Sequence, residues 1–355
     1  MTSKTRKVRI GIIGCGGIAN GKHLPTLKRM DEVELVAFCD LIPERAEAAR
    51  AEYGIEGAQT YEDYHALLAD EGIEVVHVLT PNDSHAEIAI AALEAKKHVM
   101  SEKPMAKTAE QARAMAAAAR RTGKKLTVGY DNRFREDSQL LYQICRRGDL
   151  GEIYYARALA VRRRMVPTWG VFLDEAKQGG GPLIDIGTHA LDLTLWLMDN
   201  YRPKMVVGTT YHKLAARKNA ANAWGTWDPE KFTVEDSAMG FVVMENGASI
   251  AIESSWALNT LEVNEAKAIL CGTEAGADML DGLRINGDDL GKLYVKHVDL
   301  KGRRDQWGPT LEMRRWIDAI IDDTDVVVKP EQTVVVSEII EGLYTSAQSG
   351  QPYLF

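Results

Sequence analysis

The chain has 355 residues, more than one hydrophobic core normally holds, so two domains are expected. A formal charge of −8 with no long basic run argues against nucleic acid as a partner, and no apolar run approaches the ~18 residues of a membrane span. The four cysteines, Cys15, Cys39, Cys145 and Cys271, show neither CxxC nor zinc spacing and suit a reducing cytoplasm.

Basic residues and a short apolar run open the chain. The run leads straight into glycines, so it reads as a first strand, Val8 to Ile13, rather than a leader. A helix from Ile18 to Met30 follows, then a strand Val33 to Cys39 and a proline-started helix Pro43 to Tyr53. A short helix near Tyr61 to Ala69, a strand Val75 to Leu79 and a helix Ser84 to Ala95, with Ser84 as its cap, continue the rhythm. His98 to Met100, an Ala-rich helix Thr108 to Arg121 and a strand Lys125 to Val128 complete it. Strands alternating with helices mean parallel βαβ units.

Beyond Tyr130 the texture changes to long strand-like runs at Ile153 to Val161, Met205 to His212, Ser237 to Met244 and Ser249 to Trp256. Asn246-Gly247 joins two of them as a hairpin turn. Further runs lie near Ala268 to Cys271, Gly282 to Ile285 and Leu293 to Val298. One apolar helix, Leu183 to Met198, interrupts the series, and amphipathic helices near Leu311 to Ile321 and Thr333 to Ser349 close the chain. The fold class is therefore α/β plus α+β: a parallel sheet in residues 1–129 and a mostly antiparallel sheet in residues 130–355. The segment Ala215 to Glu230 reads as a long loop of the kind that often carries function.

The stretch GIIGCGGIA sets Gly14, Gly16 and Ala19 in the pattern GxGxxA between strand and helix. Glycines let a backbone approach a pyrophosphate, and the helix start offers free N–H groups to it; Gly14, Gly16, Gly17 and Ile18 line that turn. Asp40 follows Ala19 by 21 residues at the end of the second strand. That is the place of an acid that accepts ribose hydroxyls and repels a 2′-phosphate, so NAD is favoured over NADP. Ligands of such sheets lie at the carboxyl ends of the strands. Those ends carry Thr80-Pro81-Asn82 with His85, Glu102-Lys103-Pro104, and Gly129-Tyr130 with Asn132. EKP alone is a solvated turn as readily as a site, and His85 is equally a helix-face histidine or a cofactor contact.

In GGGPLIDIGTHALDLTLWLM, Asp185, His189 and Asp192 interrupt a greasy helix at i, i+4 and i+7. Asp185 is spaced to orient His189 as an acid/base imidazole, while Asp192 suits a pairing role. A hydrogen-bonded structural histidine explains the same spacing. The trio lacks further His or Cys ligands, so no metal is expected. Arg162-Arg163-Arg164 and Trp169 suit a polyol through hydrogen bonds and stacking, or else form a solvated cluster beside a core tryptophan.

Together GIIGCGGIA, FCD, TPNDSHAEIAIAALEAKKHVMSEKPMAKT, VGYDNRF and GGGPLIDIGTHALDL resemble the glucose–fructose oxidoreductase, inositol dehydrogenase and rhizopine catabolism family. The matches run in order along the first 200 residues. The resemblance implies an N-terminal Rossmann domain that binds NAD and a C-terminal open, mostly antiparallel sheet for substrate binding and oligomerisation. It implies Lys103, Asp185 and His189 as catalytic residues, with the Lys103–Pro104 peptide often cis. Thr80, Asn82 and His85 fall to the cofactor, Glu102 to positioning the cofactor amide or Lys103, and Asn132, Arg163 and Trp169 to the substrate. The implied reaction is reversible oxidation of a secondary hydroxyl of a sugar, glycoside or inositol in a cytoplasmic homodimer or homotetramer. The alternatives are a sugar–sugar transhydrogenase that retains NAD, and a non-catalytic sensor of NAD and sugar.

Overall fold

A computed structural model describes residues 6–218, 220–300 and 306–355. The first five residues, part of the stretch weighed above against a leader, and one position of the long loop lie outside them. Two compact units emerge. One comprises the chain through Ala106, Glu110–Asp131 and a later stretch ending at Val334; the other takes Lys107–Ala109, the run that begins at Asn132, and Val335–Phe355.

In chain order the first unit begins with β1 (Val8–Ile13), a π-helical turn at Ala19–His23, α1 (Leu24–Leu27), β2 (Val33–Cys39) and α2 (Pro43–Tyr53). It continues with β3 (Gln59–Tyr61), α3 (Tyr64–Leu68), β4 (Val75–Val78), α4 (His85–Glu94), β5 (His98–Ser101), α5 (Ala109–Thr122) and β6 (Leu126–Val128). Its six parallel strands lie in the order β3-β2-β1-β4-β5-β6. Such a sheet reverses direction between β1 and β4, where dinucleotides bind. β4 is buried along its whole length, as expected of a strand covered on both faces.

The second unit contains α6 (Glu136–Arg147), β7 (Ile153–Val161), α7 (Glu175–Gln178), a π turn at Leu183–Gly187, α8 (Thr188–Met198), β8 (Pro203–Tyr211), β9 (Ser237–Met244) and β10 (Ser249–Ser255). Then come β11 (Asn264–Gly272), β12 (Ala275–Asp278), β13 (Arg284–Asp289) and β14 (Lys292–His297). Helices α9 (Pro309–Ile321) and α10 (Pro330–Ser349) and strand β15 (Tyr353–Leu354) end the chain. Nine strands form one sheet ordered β14-β13-β12-β11-β7-β10-β9-β8-β15. Only the β7–β10 pair is parallel, so the sheet is mostly antiparallel. Between β9 and β10, Gly247 takes φ +89° and closes the hairpin that Asn246-Gly247 predicts.

Three expectations need amendment. Helix α9 packs in the first unit, not with the residue 130–355 domain: Met313, Trp316, Ile317 and Ile320 join Val8, Ile10 and Leu27 in one apolar core. The helix read as Ile18 to Met30 is a π turn followed by the short α1, with Pro25 in α1's first turn. A proline has no N–H and crowds the carbonyl four residues back, so the wider turn relieves it. Ser84 does not cap α4 with its side chain. Its hydroxyl lies 2.7 Å from Thr80 Oγ1 and donates to the Pro81 carbonyl at 2.9 Å, and a 3-10 turn at Asn82–Ser84 leads into the helix.

Among the described residues no helix is long and apolar enough to cross a membrane.

Candidate active site

The glycine loop follows β1, at the point where the parallel sheet reverses. Gly14 takes φ +94°, and a Cβ there would stand 2.6 Å from the Leu79 carbonyl oxygen, so only glycine fits. A Cβ on Gly16 or Gly17 would meet nothing within 4 Å, which leaves open space over the loop for a pyrophosphate. Ile18 is 42% exposed beside that space. Asp40 braces the loop: its Oδ2 accepts from the Cys15 N–H and its Oδ1 from the Ile42 N–H, both at 2.9 Å. A carboxylate oxygen has two lone pairs, so this bracing is compatible with accepting ribose hydroxyls as well. The residues present thus fit a dinucleotide. When bound, a nicotinamide supplies hydride acceptance and donation.

At the neighbouring strand ends, His85 is buried and turns both ring nitrogens to backbone carbonyls. Nδ1 lies 2.9 Å from the Pro104 oxygen and Nε2 2.8 Å from the Thr80 oxygen. It ties the β4 end to the EKP turn. Asn82 is buried in the turn before α4. The Lys103–Pro104 peptide is cis. Glu102 serves Lys103 through the backbone, its Oε2 accepting the Lys103 N–H at 3.0 Å. Its Oε1 accepts from Lys22 Nζ at 2.8 Å and faces His23 Nε2 at 2.9 Å. Burial alone would raise the Glu102 carboxyl; Lys22 and His23 instead hold it well below the usual carboxylate range.

In the second unit the polar stripe sits on the π turn and α8. Asp185 is buried, and its Oδ2 accepts from Trp256 Nε1 at 3.0 Å. His189 Nδ1 lies 3.1 Å from Asn132 Nδ2. The Asn132 amide orientation is set by Arg135, a pure donor, whose Nη1 lies 3.5 Å from Asn132 Oδ1. An amide NH2 can only donate, so Nδ1 of His189 accepts and the neutral ring carries its proton on Nε2. The π turn at Leu183–Gly187 carries Asp185 and leads directly into the helix that bears His189, with Trp256 as one partner of Asp185 and Asn132 as one partner of His189. Asp192 pairs with the buried Arg133.

Glu235 anchors the start of this segment. Its Oε2 accepts from the Gly181 N–H at 2.7 Å, and its Oε1 accepts from the Leu183 N–H at 3.1 Å and from the Tyr344 hydroxyl at 2.9 Å. Burial pushes this carboxyl up to about 7, against the pull of those donors.

Trp169 is 52% exposed and meets Trp224 edge-on at 5.1 Å and Phe172 at 6.0 Å. Phe172 in turn meets Trp256, the indole on Asp185. Arg162 stacks over Trp224 at 5.0 Å, while Arg163 is exposed. The long loop is pinned to this segment: Asn222 accepts from the Val166 N–H at 2.8 Å, and Thr168 donates its hydroxyl to the Trp224 carbonyl. One unbroken aromatic path therefore runs from a half-exposed indole face to Asp185. Among the described residues no three His, Cys, Asp or Glu side chains stand together as a metal site.

The first unit thus carries a glycine loop, a bracing acid and a positioned lysine, the parts of a nucleotide-dependent oxidoreductase. Residues 8–130 match the model of the oxidoreductase family with an NAD-binding Rossmann fold, GFO/IDH/MocA, and residues 138–278 match the GFO/IDH/MocA C-terminal domain. The chain belongs to this family, and its first unit is an NAD-binding Rossmann domain. It is 36% identical over 343 residues to D-glucoside 3-dehydrogenase of Escherichia coli K12, covering 97% of this chain and 96% of that one. Inositol 2-dehydrogenase of Salmonella typhimurium is 31% identical over 193 residues, 54% of this chain and 55% of that one. Among solved structures, an oxidoreductase domain protein from Kribbella flavida covers 98% of both chains with a TM-score of 0.85 at 26% identity. Levoglucosan dehydrogenase complexed with NADH and levoglucosan shares the fold, with a TM-score of 0.83 at 22% identity over 98% of this chain and 99% of that one.

Sequence reasoning missed Arg133, Glu235 and Trp256 as supports of the polar helix. Their partners lie far off in sequence, and only the run of buried apolar positions around each charge hinted at a need for pairing.

Proposed function

We propose that this protein is an NAD-dependent dehydrogenase that reversibly oxidises a secondary ring hydroxyl of a sugar or glycoside to a ketone, with inositols as the next class. The observation that carries this is the near-full-length likeness to a glucoside 3-dehydrogenase, joined to an aromatic path that leads from the exposed Trp169 through Phe172 and Trp256 to Asp185, one turn before His189. Trp169 offers the apolar face of the sugar ring a stacking partner, and Arg163 offers its hydroxyls a donor. Lys103 and His189 act on the reacting oxygen. Lys103 donates a hydrogen bond to that oxygen and stabilises the negative charge that develops on it, and His189 is the acid/base partner for its proton. Asp185, held by Trp256, contacts the substrate from the same helix. Gly14, Gly16, Gly17 and Ile18 cradle the pyrophosphate, Asp40 the ribose, and Thr80 and Asn82 the nicotinamide half.

The protein works in the cytoplasm as a homodimer or homotetramer, its free cysteines remaining reduced. Val207 and Phe241, register partners on β8 and β9, leave 40% and 39% of their surface exposed for the subunit contact.

A screen of NAD reduction over alkyl glucosides, free hexoses, inositols and anhydrosugars, with reverse assays on the keto forms, tests the reading. Turnover concentrated among glucosides and hexoses is expected. No turnover with any of them, or a response to NADP alone, overturns it.

A further inference from the structure

Four elements of the first unit send polar side chains to one buried point beside Glu102. Lys22 and His23 come from the π turn after the glycine loop, His77 from β4, Glu102 from the end of β5, and Glu312 and Trp316 from α9. Such a cluster is costly in a core unless it is hydrogen-bonded; Glu312 meets Lys22 only as an ion-pair partner, its two carboxyl oxygens making no hydrogen bond, while along the rest of the cluster donor chemistry dictates the order of the bonds. The Trp316 indole is a donor only, and its Nε1 lies 3.1 Å from His77 Nε2, which therefore carries no proton. Burial depresses both histidines, so each ring is neutral. His77 then holds its proton on Nδ1 and donates to His23 Nδ1 at 3.0 Å. His23 holds its proton on Nε2 and donates to Glu102 Oε1 at 2.9 Å. The chain ends on the other Glu102 oxygen, which accepts the backbone N–H of Lys103 at 3.0 Å.

Reversing any link sets two lone pairs or two protons against each other. Lys22 Nζ locks the arrangement from the side, 2.8 Å from Glu102 Oε1, 3.0 Å from Glu312 Oε2 and 3.9 Å from Asp131 Oδ2. On the β6 side the backbone closes in: a Cβ on Gly129 would lie 2.9 Å from Glu102 Oε1. Glu312, pushed up to about 8 by burial against the pull of Lys22, with Asp131 and Glu102 adding to the rise, leaves Lys22 and Glu102 as the fixed ion pair of the cluster.

We propose that the chain Trp316–His77–His23–Glu102 is a positioning device that holds the Lys103 backbone in register for the reaction, making His23, His77 and Trp316 positioning residues. This rests on the reading of Lys103 as a group at the reacting hydroxyl. An apolar core would pack α9 on β1 equally well; the polar chain is needed because it terminates on the main chain of one particular lysine.

Two measurements on the full-length protein test it. Histidine-selective nitrogen-15 NMR is expected to show His77 with its proton on Nδ1 and His23 with its proton on Nε2 at neutral pH. A doubly protonated ring, or His23 protonated on Nδ1, overturns the proposal. In kinetics, Trp316→Phe and His23→Leu are expected to lower kcat about ten- to a hundredfold, the scale of a small misplacement, with KM for NAD within about twofold. His23→Gln, which keeps a donor toward Glu102, is expected to recover most of that loss and guards against simple misfolding. Wild-type kcat in folded Trp316→Phe and His23→Leu overturns the chain while leaving Lys103 untouched, provided Lys103→Ala is inactive. Should Lys103→Ala itself turn over normally, the role of Lys103 falls, and with it the functional purpose assigned to the chain, whatever the tautomers.

Discussion

Arg133 grips Asp192 with two hydrogen bonds, Nε to Oδ2 at 2.8 Å and Nη2 to Oδ1 at 2.6 Å, where neither side chain reaches water. The guanidinium also lies over the Trp196 ring, 5.6 Å from its centroid. The pair fixes the helix that bears His189 against the turn that bears Asn132. Removing one partner strands a buried charge. Asp192→Ala is expected to destabilise the fold by about 3–5 kcal/mol, read from urea unfolding, whereas an exposed pair would give under about 1 kcal/mol. A loss in the lower range would mean that water reaches the guanidinium.

Lys103→Ala and His189→Ala should each lower turnover by roughly two orders of magnitude or more while NADH still binds, since neither residue is placed on the nucleotide. Stopped-flow turnover alongside NADH fluorescence titration separates the two effects. Near-normal rates in either variant would remove that residue from the chemistry.

Asn132→Asp replaces the donor at His189 Nδ1 by an acceptor. A carboxylate there favours the imidazolium and draws a proton onto Nδ1. The limb of the kcat/KM profile that belongs to His189 is expected to move to higher pH, by roughly one unit or more. An unmoved profile would detach Asn132 from the histidine's function.

Asp40→Ser removes both the carboxylate proposed to accept the ribose hydroxyls and the brace on the Cys15 N–H. The preference for NAD over NADP is expected to shrink, with a rise in KM for NAD. A wild type that already prefers NADP would contradict the role given to Asp40.

Glu235 yields a stability prediction. Its ordinary value is 4.5, and burial lifts it to about 7 in the fold. Between those values the native protein keeps a proton that the unfolded chain has released. Stability therefore falls as pH rises through this window, is level above it, and carries no such penalty below it. Glu235→Gln cannot titrate, so thermal denaturation across the window should lose this slope, which amounts to roughly 3 kcal/mol at most. The amide leaves one of the two backbone N–H groups without an acceptor, so the variant should be less stable at low pH.

Much of the first sheet was legible in the residues, because buried parallel strands such as β1 and β4 are short apolar runs and the GxGxxA turn marks the first crossover. Elements lacking such runs were not. Strand β3 is a largely exposed three-residue edge, β12 is a four-residue Ala-Gly piece, and α6 went unnoticed because only Leu141 and Ile144 mark its apolar face. Of the candidate site residues, Gly14, Asp40 and His189 are proposed from motif and spacing and Lys103 from the family resemblance. Their supports are not: Trp256 meets Asp185, and Trp316 meets His77, across long separations that no local pattern encodes. The two π turns also escaped, since a helical period read from sequence presumes a uniform pitch.

The return of α9 to the first unit has a consequence for how the chain matures on the ribosome. The nucleotide-binding sheet is synthesised early, yet the helix that seals β1 and supplies the indole for His77 emerges only after every strand of the antiparallel sheet except β15 has been made. Nascent chains released before Pro309 would carry a glycine loop over an open, greasy flank, a species suited to chaperone capture rather than to binding a nucleotide.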